Sequence, residues 1–245
     1  MKFQRIFFVT VAIVFIVALQ DIIEIEDTVL TNNSLSSTSV SSTSVLNDVD
    51  TDGHVQNLET KKIALTFDDG PSDMDGGTEY LLDGLLERGV KATFFVLGER
   101  AEVNPIIMSR IVDEGHLIGN HTYSHIDLSI LTKEQLLQEL EKTNEIVKEL
   151  TGVTIEYMRP PYGAWDKEQE EWIDMIPVLW TIDSLDWATN NVEEIVNKVV
   201  TEAEENDIIL MHDCYKSSSE AAFQIIDILQ NQGFEFVTVE ELLID

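Results

Sequence analysis

From residue 61 onward, short apolar runs alternate with segments whose apolar residues recur every three to four positions. The short runs, at 63–67, 92–97, 117–120, 154–158, 178–182, 208–212 and 234–237, read as buried strands. The amphipathic segments, at 78–88, 104–113, 133–150, 192–205 and 218–231, read as helices. Pro105 suits a first helical position. Thr132 and Gln135 make a capping-box signature, and Gly152 follows the end of that helix. Gly233 marks the stop of the last helix. Seven strands alternating with helices predict parallel pairing. The fold class is therefore α/β, either a small (β/α) barrel or an open doubly wound sheet. No glycine-rich dinucleotide fingerprint follows the first strand. In both architectures functional groups gather beyond the C-terminal ends of the strands.

The first 59 residues follow a different pattern. Lys2 and Arg5 precede an apolar run at 6–19, the arrangement of an export signal. The run is shorter than the roughly 20 residues that span a bilayer comfortably. No small-x-small cleavage site follows it. Residues 1–23 are thus expected to be an N-terminal membrane anchor, with a cleaved signal peptide as the alternative. Residues 24–59 are rich in Ser, Thr, Asn and Asp, bury too little to fold, and are expected to be a flexible linker. The globular domain is expected at 60–245, exported to the outer side of the membrane. The net charge of −31 and pI near 4.2 exclude a nucleic-acid phosphate surface and disfavour anionic lipid outside the N-terminal segment. Cys214 is the single cysteine, so no intrachain disulfide forms. It reads as a buried structural thiol.

Candidate chemistry sits at the predicted strand ends. Thr66-Phe67-Asp68-Asp69-Gly70-Pro71 ends the first strand with two adjacent carboxylates. Desolvated side by side, they repel each other. A cation ligated by one carboxylate leaves the other free to move a proton. His121 and His125 follow the third strand, and their spacing lets both imidazoles reach one ion. One carboxylate and two histidines leave coordination positions open, as catalytic metal sites do. Zinc is the default ion, and Co2+, Mn2+ or Ni2+ also suit this donor set. Arg159 ends the fourth strand, just before Pro160-Pro161-Tyr162-Gly163. Asp183, Asp186 and Trp187 follow the fifth, and His212 ends the sixth. Singly, each of these has a plain structural reading as a turn, cap or packed aromatic. Jointly, they converge on one end of the sheet.

These clusters, in this order, resemble the polysaccharide deacetylase family (the NodB-homology domain, carbohydrate esterase family 4). The motifs that carry the resemblance are Thr66-Phe67-Asp68-Asp69-Gly70, His121-Thr122-Tyr123-Ser124-His125, Arg159-Pro160-Pro161-Tyr162-Gly163, Asp183-Ser184-Leu185-Asp186-Trp187 and Leu210-Met211-His212. The resemblance covers residues 60–245 and implies a distorted (β/α)7 barrel. It also implies roles. Asp69, His121 and His125 would bind the divalent metal, with Asp68 as general base and His212 as general acid. Arg159 would orient Asp68, and Asp186 would support His212. The Tyr162 backbone N–H would stabilise the oxyanion. Trp187 and Leu210 would line the pocket for the acetyl methyl group. The acidic, glycine-rich loop 72–77 and Met211 depart mildly from the family pattern.

The implied activity is metal-dependent N-deacetylation of N-acetylglucosamine in a cell-surface polysaccharide, with peptidoglycan first among polymers. An O-acetyl esterase acting on xylan or another acetylated glycan is the enzyme alternative. A non-catalytic glycan-binding module is the alternative from another class.

Overall fold

The computed structural model describes residues 60–244. The expected anchor (1–23) and linker (24–59) lie outside the described residues. Among the described residues no helix is long and apolar enough to cross a membrane.

The described strands are β1 (Lys61–Asp68), β2 (Thr93–Val96), β3 (Leu117–Asn120), β4 (Tyr157–Met158), β5 (Ile176–Pro177), β6 (Ile182–Asp183), β7 (Ile208–His212) and β8 (Phe234–Val237). They form one parallel sheet in the order β5-β4-β3-β2-β1-β7-β6. The first half of β1 pairs with β8 and its second half with β2, while β7 runs along its other edge. No ladder joins the end strands β5 and β6, so the curled sheet is an incompletely closed barrel.

The helices around it are α1 (Thr78–Arg88), α2 (Gly98–Val103), α3 (Pro105–Asp113), α4 (Lys133–Thr151), α5 (Val192–Glu202), α6 (Lys216–Asn231) and α7 (Val239–Ile244). The capping box expected at α4 is formed, and Gly152 ends that helix in the left-handed region at φ 76°. Glycine adopts that conformation without the Cβ penalty. The helix expected to reach residue 205 stops at Glu202. There the Asp207 carboxylate accepts a hydrogen bond from the Glu204 amide at 2.7 Å, holding the chain in a turn instead.

Side-chain alternation in β1 organises the interior. Ile63, Leu65 and Phe67 face outward into the main core, against Leu81, Leu82 and Leu85 of α1 and Ile225 and Leu229 of α6. Each such side chain, fully buried, contributes about 1.5–3 kcal/mol. Ala64, Thr66 and Asp68 face the barrel axis. Ala64 joins Phe95, Tyr157, Val178, Ile208 and Val239 in a small inner cluster. Thr66 and Asp68 both receive hydrogen bonds from Arg159. Apolar packing fills the barrel below, and polar chemistry begins at Thr66.

Two expected strands come out differently. The run at 154–158 is reduced to Tyr157–Met158. The single strand expected at 178–182 is replaced by the short pairings of β5 and β6. Pro177 has no N–H to extend β5. The next two carbonyls are captured by a side chain: Val178 O accepts from Arg159 Nε at 3.0 Å and Leu179 O from Arg159 Nη2 at 3.1 Å. A buried guanidinium takes the place of a strand partner.

Candidate active site

The C-terminal ends of the strands open onto a cleft of about 460 Å³, lined by Asp68, Asp69, His121, His125, Tyr162, Trp180, Asp183, Trp187, Leu210 and His212. The two other sequence-predicted residues, Arg159 and Asp186, sit directly behind Asp68 and His212. All eleven candidates therefore gather at one cleft. Trp180 was not foreseen. In sequence it reads as an ordinary core aromatic, whereas its ring lies 5.6 Å from the Arg159 guanidinium and forms part of the cleft wall.

Arg159 is fully buried. Its Nη1 donates to Asp68 Oδ1 at 2.8 Å and to Thr66 Oγ1 at 2.7 Å, and its face lies 4.1 Å from the Phe95 ring centroid. Burying an unpaired guanidinium would cost several kcal/mol. Four hydrogen bonds, one of them to the Asp68 carboxylate, offset that cost here. The consequence for Asp68 is positional, because one oxygen is pinned to Arg159 while the other faces His121 Nε2 at 3.7 Å.

Asp69 leaves the strand with φ 72°, which turns it away from the Asp68 face. Its Oδ1 is buried and makes no hydrogen bond. It lies 3.5 Å from His121 Nε2 and 3.3 Å from His125 Nε2. One ligand atom from each of Asp69, His121 and His125 falls within 4.8 Å of the others. His121 Nδ1 lies 2.7 Å from the Arg159 carbonyl. A carbonyl only accepts, so Nδ1 carries the proton and Nε2 presents its lone pair. Burial acts to raise the Asp69 pKa, but His121, His125 and His212, when protonated, outweigh it and bring the carboxyl to about 2. Burial, aided by His121 and His212, lowers the His125 pKa against the pull of Asp69 and Asp68. An anionic oxygen without a partner and imidazole lone pairs on either side are the donor set a divalent cation takes. The residues present fit such an ion.

Across the cleft, Asp186 receives two hydrogen bonds from one residue. Its Oδ2 accepts from the His212 amide at 2.8 Å, and its Oδ1 pairs with His212 Nδ1 at 2.7 Å. Burial alone would lower the His212 pKa. The hydrogen bond and charge of Asp186, with Asp68 and Asp69 behind it, lift it to about 9. Cys214, expected to be buried, is only partly so; desolvation and the charges of Asp213 and Asp69 still push its thiol up to about 12, which keeps it un-ionised.

Backbone strain collects here. Asp69, Thr122, His125, Tyr162 and Leu185 are non-glycine residues with φ between 58° and 72°, and each belongs to a loop at the cleft. Tyr162 sets its ring edge-on to His125 at 4.7 Å and stands 70% exposed at the rim.

A family model for polysaccharide deacetylase matches residues 55–173. The chain is 40% identical over 182 residues to the peptidoglycan-N-acetylglucosamine deacetylase PgdA of Listeria monocytogenes, covering 74% of this chain and 39% of that protein. This chain thus spans well under half the length of that relative. A peptidoglycan-N-acetylglucosamine deacetylase of Bacillus cereus is 39% identical over 188 residues, covering 74% of this chain and 68% of its own. The solved structure of the peptidoglycan deacetylase PdaC from Bacillus subtilis matches with a TM-score of 0.72 at 38% identity, covering 75% of this chain and 90% of that one. PdaC bears the name of a peptidoglycan-N-acetylmuramic acid deacetylase. With its motif order, barrel and cleft in agreement, the chain belongs to the polysaccharide deacetylase family.

Proposed function

We propose that this chain is a metal-dependent N-deacetylase that removes acetyl groups from N-acetylglucosamine residues of peptidoglycan and releases acetate. One observation carries the reading. A single cleft holds the Asp69–His121–His125 cluster between a carboxylate paired with Arg159 and an imidazole paired with Asp186. The names of the Listeria and Bacillus cereus relatives supply the amino sugar and the polymer. Residues 60–245 are the catalytic domain in this reading. The N-terminal segment 1–23 and linker 24–59 hold it at the outer face of the cell.

Asp69, His121 and His125 hold the divalent ion, with Zn2+ the first choice for one carboxylate and two imidazoles. When bound, it polarises the acetamide carbonyl and makes water more acidic. The chain's own groups do the rest. Asp68, fixed by Arg159, takes a proton from the attacking water. The Tyr162 backbone N–H donates to the oxygen that becomes negative in the tetrahedral intermediate. Trp187 and Leu210 enclose the acetyl methyl group. His212 delivers a proton to the departing nitrogen. An amine is a poor leaving group until protonated. The Asp186 carboxylate on Nδ1 favours the protonated form of His212 that this transfer needs.

Acetate release should be measured from peptidoglycan, chitin oligomers and acetylated xylan, with and without a chelator. Chelator-sensitive release from peptidoglycan is expected. Release from xylan alone would assign the O-acetyl esterase reading, and no release from any polymer would leave a glycan-binding module. Asp68→Asn should lower release by about 10²–10⁴-fold while divalent binding persists. Full activity in that variant would remove Asp68 from its role.

A further inference from the structure

The loop that carries the two candidate histidine ligands is strained and externally tied. Thr122 and His125 both stand in the left-handed region, at φ 72° and 59°. For L residues, and for a β-branched threonine above all, that conformation persists only when neighbours over-determine it. Two local ties are present. Thr122 N–H donates to Asn120 Oδ1 at 2.7 Å, and His125 N–H donates to Thr122 Oγ1 at 3.0 Å. The middle of the loop is held from outside. Glu139 Oε2, on α4, accepts three hydrogen bonds: from Tyr123 N–H at 3.1 Å, Ser124 N–H at 2.9 Å and Ser124 Oγ at 3.0 Å.

We propose that Glu139 is a positioning residue, whose carboxylate holds the 121–125 loop in the conformation that brings both imidazoles to Asp69. This rests on the metal-site reading above. The anchor is suited to the task. Helix α4 is capped at both ends and buries Leu136, Leu140, Thr143 and Val147, so Glu139 projects from a fixed element. One anionic acceptor satisfies two adjacent amides and a hydroxyl that face outward from the loop, and charge-assisted hydrogen bonds of this kind are the strong ones. Groups behind a ligand commonly set its orientation and hence the affinity of the site. A second tie from the same helix steadies the strand end: Asn120 Nδ2 donates to Leu140 O at 2.9 Å and to Asn144 Oδ1 at 2.8 Å.

The test is Zn2+ affinity of the full chain without substrate, measured by competition with a chelating dye. It compares the wild type, Glu139→Ala, Glu139→Gln and Glu141→Ala, the last an exposed carboxylate on the same helix. Glu139→Ala should weaken Zn2+ binding roughly 10–100-fold, with circular dichroism unchanged. Glu139→Gln keeps an acceptor oxygen and should stay within about fivefold of wild type, while Glu141→Ala is silent. At saturating Zn2+ the Glu139→Ala rate should largely recover, which a general loss of folding would not allow. Affinity within about twofold of wild type in Glu139→Ala would overturn the proposal. So would equal losses in the Gln and Ala variants, which would reduce Glu139 to a charge. A wild-type chain that fails to bind Zn2+ would instead sink the metal-site reading, and this inference with it.

Discussion

Asp186→Asn is the most informative single change at the site. It keeps the shape of the side chain and removes the charge that accepts from both His212 Nδ1 and the His212 amide. Burial favours the neutral imidazole, and Asp186 is the largest influence in the other direction. The net result lifts His212 from 6.5 to about 9, a rise of about 2.5 units, worth roughly 3 kcal/mol at 1.4 kcal/mol per unit. Without Asp186 most of that rise disappears. A general acid works only while protonated, so the alkaline limb of the rate profile should move toward acid by about two units or more. One pH unit below the wild-type limb, the variant should be roughly 10–30-fold slower, while well below both limbs the rates converge. A bound cation lowers both limbs together, and the difference between them is the readout. Stability gives an independent check. The folded pKa of His212 lies above its unfolded value, so its contribution is complete below pH 6.5 and is lost as pH rises through about 9. Asp186→Asn should therefore cost roughly 3 kcal/mol at pH 6 and little near pH 9. The assays are initial acetate release from pH 5 to 10 and urea midpoints over the same range. An alkaline limb unmoved in the variant would refute the assignment of His212 as the acid tuned by Asp186.

Three further outcomes follow from the geometry. Arg159→Met leaves Asp68 buried without its partner and should cost about 3–5 kcal/mol in urea unfolding, with acetate release lost; a stability change under 1 kcal/mol would contradict the buried pair. Gly70→Ala would place a Cβ 2.0 Å from Asp213 Oδ2, destabilising by about 1–3 kcal/mol, and Asp213→Ala in the same chain should recover part of it in a double-mutant cycle. His116 is buried with Nδ1 accepting from the Ala92 amide at 3.1 Å, and burial, with Lys91 and Arg110, lowers its pKa to about 4. The unfolded chain thus binds a proton between pH 6.5 and 4 that the folded chain refuses. Wild type should lose up to roughly 3 kcal/mol over that interval, and His116→Gln should lose measurably less; equal slopes would remove His116 from the acid sensitivity.

The parts of the fold legible in sequence are those built from local pattern. Strands β1, β2, β3, β7 and β8 are apolar runs paired along their lengths, and α4 announces itself through Thr132, Gln135 and Gly152. The parts that were not legible depend on distant partners. Residues 178–182 look like a strand because they are mostly apolar, yet Arg159, about twenty positions earlier, takes the carbonyls of Val178 and Leu179. The short helices α2 and α7, six residues each, carry too little periodicity to read. Glu139 is one of several acidic residues along an amphipathic helix. Only the chain's return to Tyr123 and Ser124 gives it a task.

The same contrast explains Asp68 and Asp69. Two neighbouring carboxylates are an electrostatic conflict as long as they share one environment. The structure separates them by direction. Strand alternation sends Asp68 inward to Arg159, and the left-handed turn at Asp69 sends the next carboxylate to the two imidazoles. One residue of backbone rotation converts a repelling pair into a charge held by a guanidinium and a charge offered to a cation. That rotation is not free, and neither are those at Thr122, His125, Tyr162 and Leu185. Each left-handed non-glycine residue costs on the order of 1–2 kcal/mol. In the histidine loop the outside tie comes from a rigid element, Glu139 on α4. A close-packed barrel with strained polar loops at one end is therefore what this chemistry requires, because the stability of the first fixes the geometry of the second.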